Sequence, residues 1–169
     1  MVLVDGFSRL HYTVPLQTNT ATAALGGLRD FIRDVGKPQS LLLDWGSEYR
    51  GVFEQYCIDH DIQIRRSCPY EHWQNGLVER ANRTVKEMSR TLLHDSQLPL
   101  CFWPYAVNTA AYLNNRLATQ SLNCTPYERF YGASPDCSNL RLFGSVCYAH
   151  IDKKLRSTFA YTAKQCIFV

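Results

Sequence analysis

The sequence predicts an α/β fold with some parallel strand pairing. Three observations carry this. Short apolar strand patterns alternate with helical patterns through the first 66 residues, in the order strand, helix, strand, helix, strand. Hydrophobic residues make up 46% of the 169 and charged residues 20%, enough to bury a core and too apolar for a disordered tail. The best helical pattern, at 76–94, carries one apolar stripe of Leu77, Ala81, Val85, Met88 and Leu92.

The elements follow in order. Residues 2–5 and 9–16 read as a hairpin with Gly6 marking its turn. Leu25, Leu28, Phe31, Ile32 and Val35 recur at helical spacing, capped by Thr20 or Thr22 and stopped by Gly36 and Pro38. Gly26 and Gly27 weaken that helix by about 1 kcal/mol each. Residues 40–43 form a short apolar strand ending in Asp44. Residues 47–60 read as one helix with Val52, Phe53, Tyr56 and Cys57 inward, and 62–64 begin another strand. Residues 68–75 read as a loop before the helix at 76–94. A break at Leu98-Pro99 precedes a helix over 102–117 with Phe102, Ala106, Ala110 and Leu113 on one face. A short helix at 125–131 stops at Gly132. Residues 140–151 and 165–169 read as strands joined by an exposed basic connection.

Composition excludes several classes. The net charge of +3 is too small to argue for a nucleic-acid partner by itself. No apolar run approaches the roughly 20 residues that span a membrane, and residues 1–20 have no signal-peptide pattern. The seven cysteines are odd in number and form no C-x-x-C pair. With the five histidines equally dispersed, a disulfide framework and a four-ligand zinc site are therefore not expected. Scattered, reduced, mostly buried thiols of an intracellular protein are.

Two places carry candidate chemistry. Asp44 ends a buried strand (LLLD), where open α/β sheets place their sites; alone, it reads equally as a turn or cap residue. Glu79, Arg83, Lys86 and Arg90 share one helix face away from the apolar stripe. A carboxylate followed by three bases suits a divalent cation beside a phosphate track; alone, it is also an ordinary solvated face with an i, i+4 pair.

Taken together, the motifs resemble the catalytic core of retroelement integrases, closest to the copia-type retrotransposon group. LLLDWGSEY precedes PYEHWQNGLVERANRTVKEM, with 34 residues between Asp44 and Glu79. The group's pattern is a strand ending D-N-G-x-E-F, then about 35 residues, then P-Y-x-P-x-x-N-G-x-x-E-R-x-N-R-T. VDGFSR at 4–9, FWPYAVNTAAYLNNR at 102–116, TPYERFYG at 125–132, LRLFGSVCYAHI at 140–151 and KQCIF at 164–168 follow in register.

The resemblance implies an RNase H-like fold, and a triad of two aspartates and one glutamate holding two Mg²⁺ or Mn²⁺ ions for phosphoryl transfer on DNA. It makes Asp44 the second aspartate and Glu79 the glutamate. Asn75 falls in the loop beside the site, and Arg83, Lys86 and Arg90 fall where the helix meets DNA. Asp5 matches a hairpin residue rather than the first aspartate, so the fold is expected to be incomplete at its N-terminus. The missing strand and its aspartate are expected about 15–25 residues before Val2. Residues 1–117 would be a partial core and 118–169 the extension that follows it. The implied partners are element-end and target DNA and further copies of the chain, in the nucleus and with no membrane. The expected function is DNA integration, with this stretch alone poor at two-metal binding and either inactive in strand transfer or only marginally folded. The alternatives are a host-adopted or decayed non-catalytic DNA-binding or interaction module and, more weakly, an RNase H-type nuclease. Trp45 stands where the group usually has Asn, and His72-Trp73 where a Pro-Gln type loop is usual.

Overall fold

The computed structural model describes residues 1–67, 72–119 and 123–169, and for 72–75 the backbone alone. The chain forms two compact units, Met1–Val85 and Lys86–Val169.

In the first unit, β1 (Val2–Val4) and β2 (His11–Thr13) form the expected hairpin, antiparallel with Leu3 opposite Tyr12. Its turn is built differently from the sequence expectation. Arg9, not Gly6, takes the left-handed conformation, at φ 64°. Asp5 closes the turn by accepting from the Ser8 amide at 2.6 Å and the Ser8 hydroxyl at 2.7 Å. Helix α1 (Ala21–Asp34) starts at Thr20, whose hydroxyl accepts from the Ala23 amide. Gly27 in this helix has a packing reason. A β-carbon there would stand 2.5 Å from the Met1 methyl and 3.5 Å from Leu16 and Val14 side-chain atoms, so glycine lets the N-terminal segment lie close.

Strand β3 (Ser40–Leu43) pairs in parallel with β4 (Gln63–Arg66), Leu41 opposite Ile64 and Leu43 opposite Arg66. Between them the single helix expected over 47–60 is broken. A 3-10 turn at Ser47–Tyr49 is followed by α2 (Val52–Asp59). Arg50 is extended and Gly51 sits at φ 60°, a conformation that favours glycine. This break turns Val52 outward, 52% exposed, while Phe53 and Cys57 stay inside. The core joins Ala24, Leu25 and Leu28 of α1, Leu41 and Leu43 of β3, Phe53 and Cys57 of α2, and Ile62.

Cys57 is fully buried in that core. Burial pushes its thiol up to about 11, with the Glu54 carboxylate adding to the effect and the Arg66 guanidinium opposing it. The folded chain thus keeps a proton that the unfolded chain releases from about pH 8.5 upward. Cys57 should subtract stability as pH climbs toward about 11, by no more than about 1.4 kcal/mol per pH unit. Urea unfolding at pH 8 and 10 should show a smaller drop for Cys57→Val than for the parent; an equal drop would contradict this.

Helix α3 (His72–Ser96) begins four residues earlier than the sequence pattern indicates, so 72–75 are helical; 68–71 lie outside the described residues. Ala81, Val85 and Ser89 are its buried line, while Leu77, Met88 and Leu92 are half-buried.

In the second unit, α3 ends at Ser96, where Gln97 turns left-handed. After a 3-10 turn at Leu100–Phe102 comes α4 (Trp103–Asn114), which buries Ala106, Ala110 and Ala111. Helix α5 (Pro126–Tyr131) ends where expected and begins one residue later, Thr125 serving as its cap by accepting from the Glu128 amide, with Gly132 left-handed at φ 73°. The Tyr127 amide donates to the Asn115 carbonyl at 2.9 Å, and the Arg116 guanidinium lies 3.4 Å from the Tyr112 ring centre. Strands β5 (Val146–His150) and β6 (Ala163–Ile167) make an antiparallel ribbon. Each sheet among the described residues has two strands. No helix among them is long and apolar enough to cross a membrane.

The cysteine expectation needs correction. Of the six described, only Cys57 is buried; Cys101 and Cys137 are exposed, and Cys124, Cys147 and Cys166 are intermediate. Cys101 lies in a 3-10 turn, Cys124 and Cys137 in connections, and Cys147 and Cys166 on a two-stranded ribbon, all outside the core cluster that encloses Cys57.

Candidate metal and nucleic-acid site

Asp44 follows the last residue of β3, where the chain leaves the sheet and must turn. Its carboxylate stands exposed, and Oδ1 accepts from the Gly46 amide at 3.0 Å. Gly46 leaves room for two acidic groups. A β-carbon there would lie 2.6 Å from Glu48 Oε2 and 3.0 Å from Asp44 Oδ1. Glu48 therefore leans on the same small turn. The Tyr49 phenol registers this field, since burial and then the negative charges of Asp44 and Glu48 push its pKa up.

The turn is held from β4. Parallel pairing sets Arg66 beside Leu43, and from there its guanidinium donates to the Asp44 carbonyl at 2.9 Å and the Tyr49 carbonyl at 3.0 Å. It lies 5.7 Å from the centre of the Trp45 ring, with Glu54 3.5 Å away. The Trp45 indole donates to the Ser67 carbonyl at 2.9 Å although the residue is 54% exposed. Trp45, a departure from the usual Asn of the pattern, thus has a structural part in fastening the turn. Arg66 and Glu48 were not singled out in the sequence. For Glu48 the signal was its place in the DWGSE turn; for Arg66 there was none.

Glu79 is exposed in the second turn of α3, and Arg83, Lys86 and Arg90 follow it, all exposed. The side chains of Asn75 and Trp73 lie outside the described residues. Asp5, by contrast, spends one carboxylate oxygen on its own turn. Hard divalent cations favour carboxylate oxygens, so Asp44 and Glu79 suit such an ion in kind. They fall short in number: among the described residues no three His, Cys, Asp or Glu side chains gather to hold a metal.

Residues 1–72 match the integrase core domain family. A retrovirus-related Pol polyprotein from transposon RE2 of Arabidopsis thaliana is 31% identical over 173 residues, covering 100% of this chain. The chain spans 12% of that relative's length. Among solved structures, the HTLV-2 integrase catalytic core domain in complex with magnesium is 25% identical with a TM-score of 0.65, over 76% of this chain and 82% of that one. The simian T-cell lymphotropic virus intasome is similar in fold, at 22% identity and a TM-score of 0.70, over 97% of this chain and 60% of that one. The α/β architecture of this chain is accordingly that of an integrase catalytic core, an RNase H-like fold.

Proposed function

This chain belongs to the integrase core family, and from that premise we propose that it serves DNA integration, as part of a copia-type enzyme that joins element DNA to host DNA by metal-dependent phosphoryl transfer. The observation that carries the reading is the braced turn after β3. A strand-end aspartate is held by Arg66 and Trp45 in a sequence that also presents Glu79 and a basic ridge on α3. In this reading Asp44 and Glu79 hold Mg²⁺ or Mn²⁺, and Asn75, Arg83, Lys86 and Arg90 meet element-end DNA. The working form is a multimer on DNA in the nucleus, with residues 1–117 as core and 118–169 as extension. Two close divalent ions carry four positive charges and call for more carboxylates than two. No reaction step is therefore assigned to these residues alone, and the 169-residue polypeptide should show no strand transfer with Mn²⁺.

The test is a double-mutant cycle on Mn²⁺ binding, read by the paramagnetic signal of free Mn²⁺. Asp44→Asn and Glu79→Gln should each weaken binding by about tenfold, and the pair together little more than either alone. Independent, additive losses would mean that the two carboxylates do not share an ion.

A second measurement addresses the ridge. Arg83→Ala with Lys86→Ala should reduce the slope of log affinity for duplex DNA against log salt by about 2. An unchanged slope would remove the ridge from the interface. That no three such ligands gather among the described residues leaves room for a second reading, a non-catalytic DNA-binding module. That reading requires the same salt slope and no contribution of divalent ions to DNA affinity.

A further inference from the structure

We propose that Cys147 and Cys166 form a dithiol site that reacts with small-molecule disulfides of the glutathione class and closes to an intramolecular disulfide. The register of β5 and β6 carries the inference. Val146 stands opposite Ile167, Cys147 opposite Cys166 and Tyr148 opposite Gln165. Directly opposed residues of an antiparallel pair point to the same face, with α-carbons about 4.5–5.5 Å apart. Disulfides form at α-carbon separations of about 4.4–6.8 Å. The two thiols are therefore placed for bonding by the ribbon itself, 19 positions apart in sequence.

Access and charge favour the reaction. Both cysteines are partly exposed, unlike Cys57 in the core. The Cys166 thiol makes one weak bond, to the Lys164 carbonyl at 3.5 Å. Lys164 shares the face of Cys166 by strand alternation, and the connection between the strands carries Lys153, Lys154 and Arg156. These cations suit an anionic reagent such as glutathione disulfide. In the first step one protein thiolate attacks a glutathione sulfur, forming a mixed disulfide and releasing one glutathione thiolate. The second protein thiolate attacks the protein sulfur of that mixed disulfide, forming the Cys147–Cys166 bond and releasing the other. Two protein thiols are oxidised and one glutathione disulfide is reduced, its two thiolates taking the two protons.

The test uses the full chain in glutathione redox buffers, followed by acid quenching, alkylation and peptide mass mapping. The expected product is a peptide linked through Cys147 and Cys166, about tenfold over mixed disulfide at either position. Its yield should not change on diluting the protein, and dithiothreitol should reverse it. In Cys166→Ser, Cys147 should stop at the glutathione adduct. The proposal is overturned if both cysteines are recovered alkylated while exposed Cys101 or Cys137 carries glutathione. Persistent adducts at 147 and 166 without closure, or linkage of either to another cysteine, overturn it equally.

Discussion

Replacing Phe53 with alanine is expected to cost about 4 kcal/mol of folding free energy. The ring is 1% exposed and is the largest of the fully buried side chains. It meets the Tyr49 ring edge-on at 5.3 Å and packs in the cluster that joins α1, β3 and α2. Truncation removes its transfer energy and leaves a cavity that two helices and a parallel strand pair cannot collapse to fill. A loss of that size approaches the whole stability of many domains, about 5–15 kcal/mol. Urea unfolding followed by circular dichroism measures it. Val52→Ala, one residue away and facing outward, is expected to change stability by no more than about 0.5 kcal/mol. Equal losses at the two positions would mean that the inward face of α2 has been misassigned.

Arg66→Ala is expected to cost about 2 kcal/mol and to loosen the turn that holds Asp44. Its two hydrogen bonds come from a charged donor to carbonyls flanking a tight turn, and both acceptors would have to find water instead. The contact with Glu54, at 3.5 Å and with the carboxylate well exposed, adds little. Arg66→Lys should recover less than half of the loss, because one ammonium cannot span both carbonyls as the guanidinium fork does. Hydrogen exchange of the Trp45 indole N–H gives a local reading. It should quicken in Arg66→Ala, since the bond to Ser67 loses the guanidinium packed over the ring. Full rescue by lysine, or unchanged indole exchange, would show that Arg66 does not hold the turn.

Local chemistry made much of the fold legible. Thr20, one of the two threonines expected there, caps α1, and Gly132 stops α5 as expected by taking the left-handed conformation that glycine accepts. Strand 40–43 formed where expected but is buried on one face alone: Leu41 and Leu43 are inside and Leu42 is 48% exposed, which a run of three leucines does not reveal. Features set by two distant segments were not legible. Trp45 reaches Ser67 and Arg66 reaches Asp44 across 22 positions because β3 and β4 run parallel, and a parallel register leaves no local signature. The opposition of Cys147 and Cys166 depends likewise on ribbon register. The break before α2 was hidden because Gly51 sits inside an otherwise helical pattern, and only its positive φ reveals the stop. Asp44 and Glu79 were visible through the motif series, whereas Glu48 entered through the shape of a turn.

The two-stranded sheets bear on how the protein behaves when concentrated. Each offers margins along which a foreign backbone can be recruited, the route by which amyloid grows. Some are guarded: β4 turns Arg65 outward, Pro38 stands just ahead of β3, and β6 carries Lys164. The Val-Leu-Val of β1 and the Val-Cys-Tyr-Ala-His of β5 bear no formal charge. Fibrillar templating would take hold at these unguarded seams, where crowded preparations are most vulnerable.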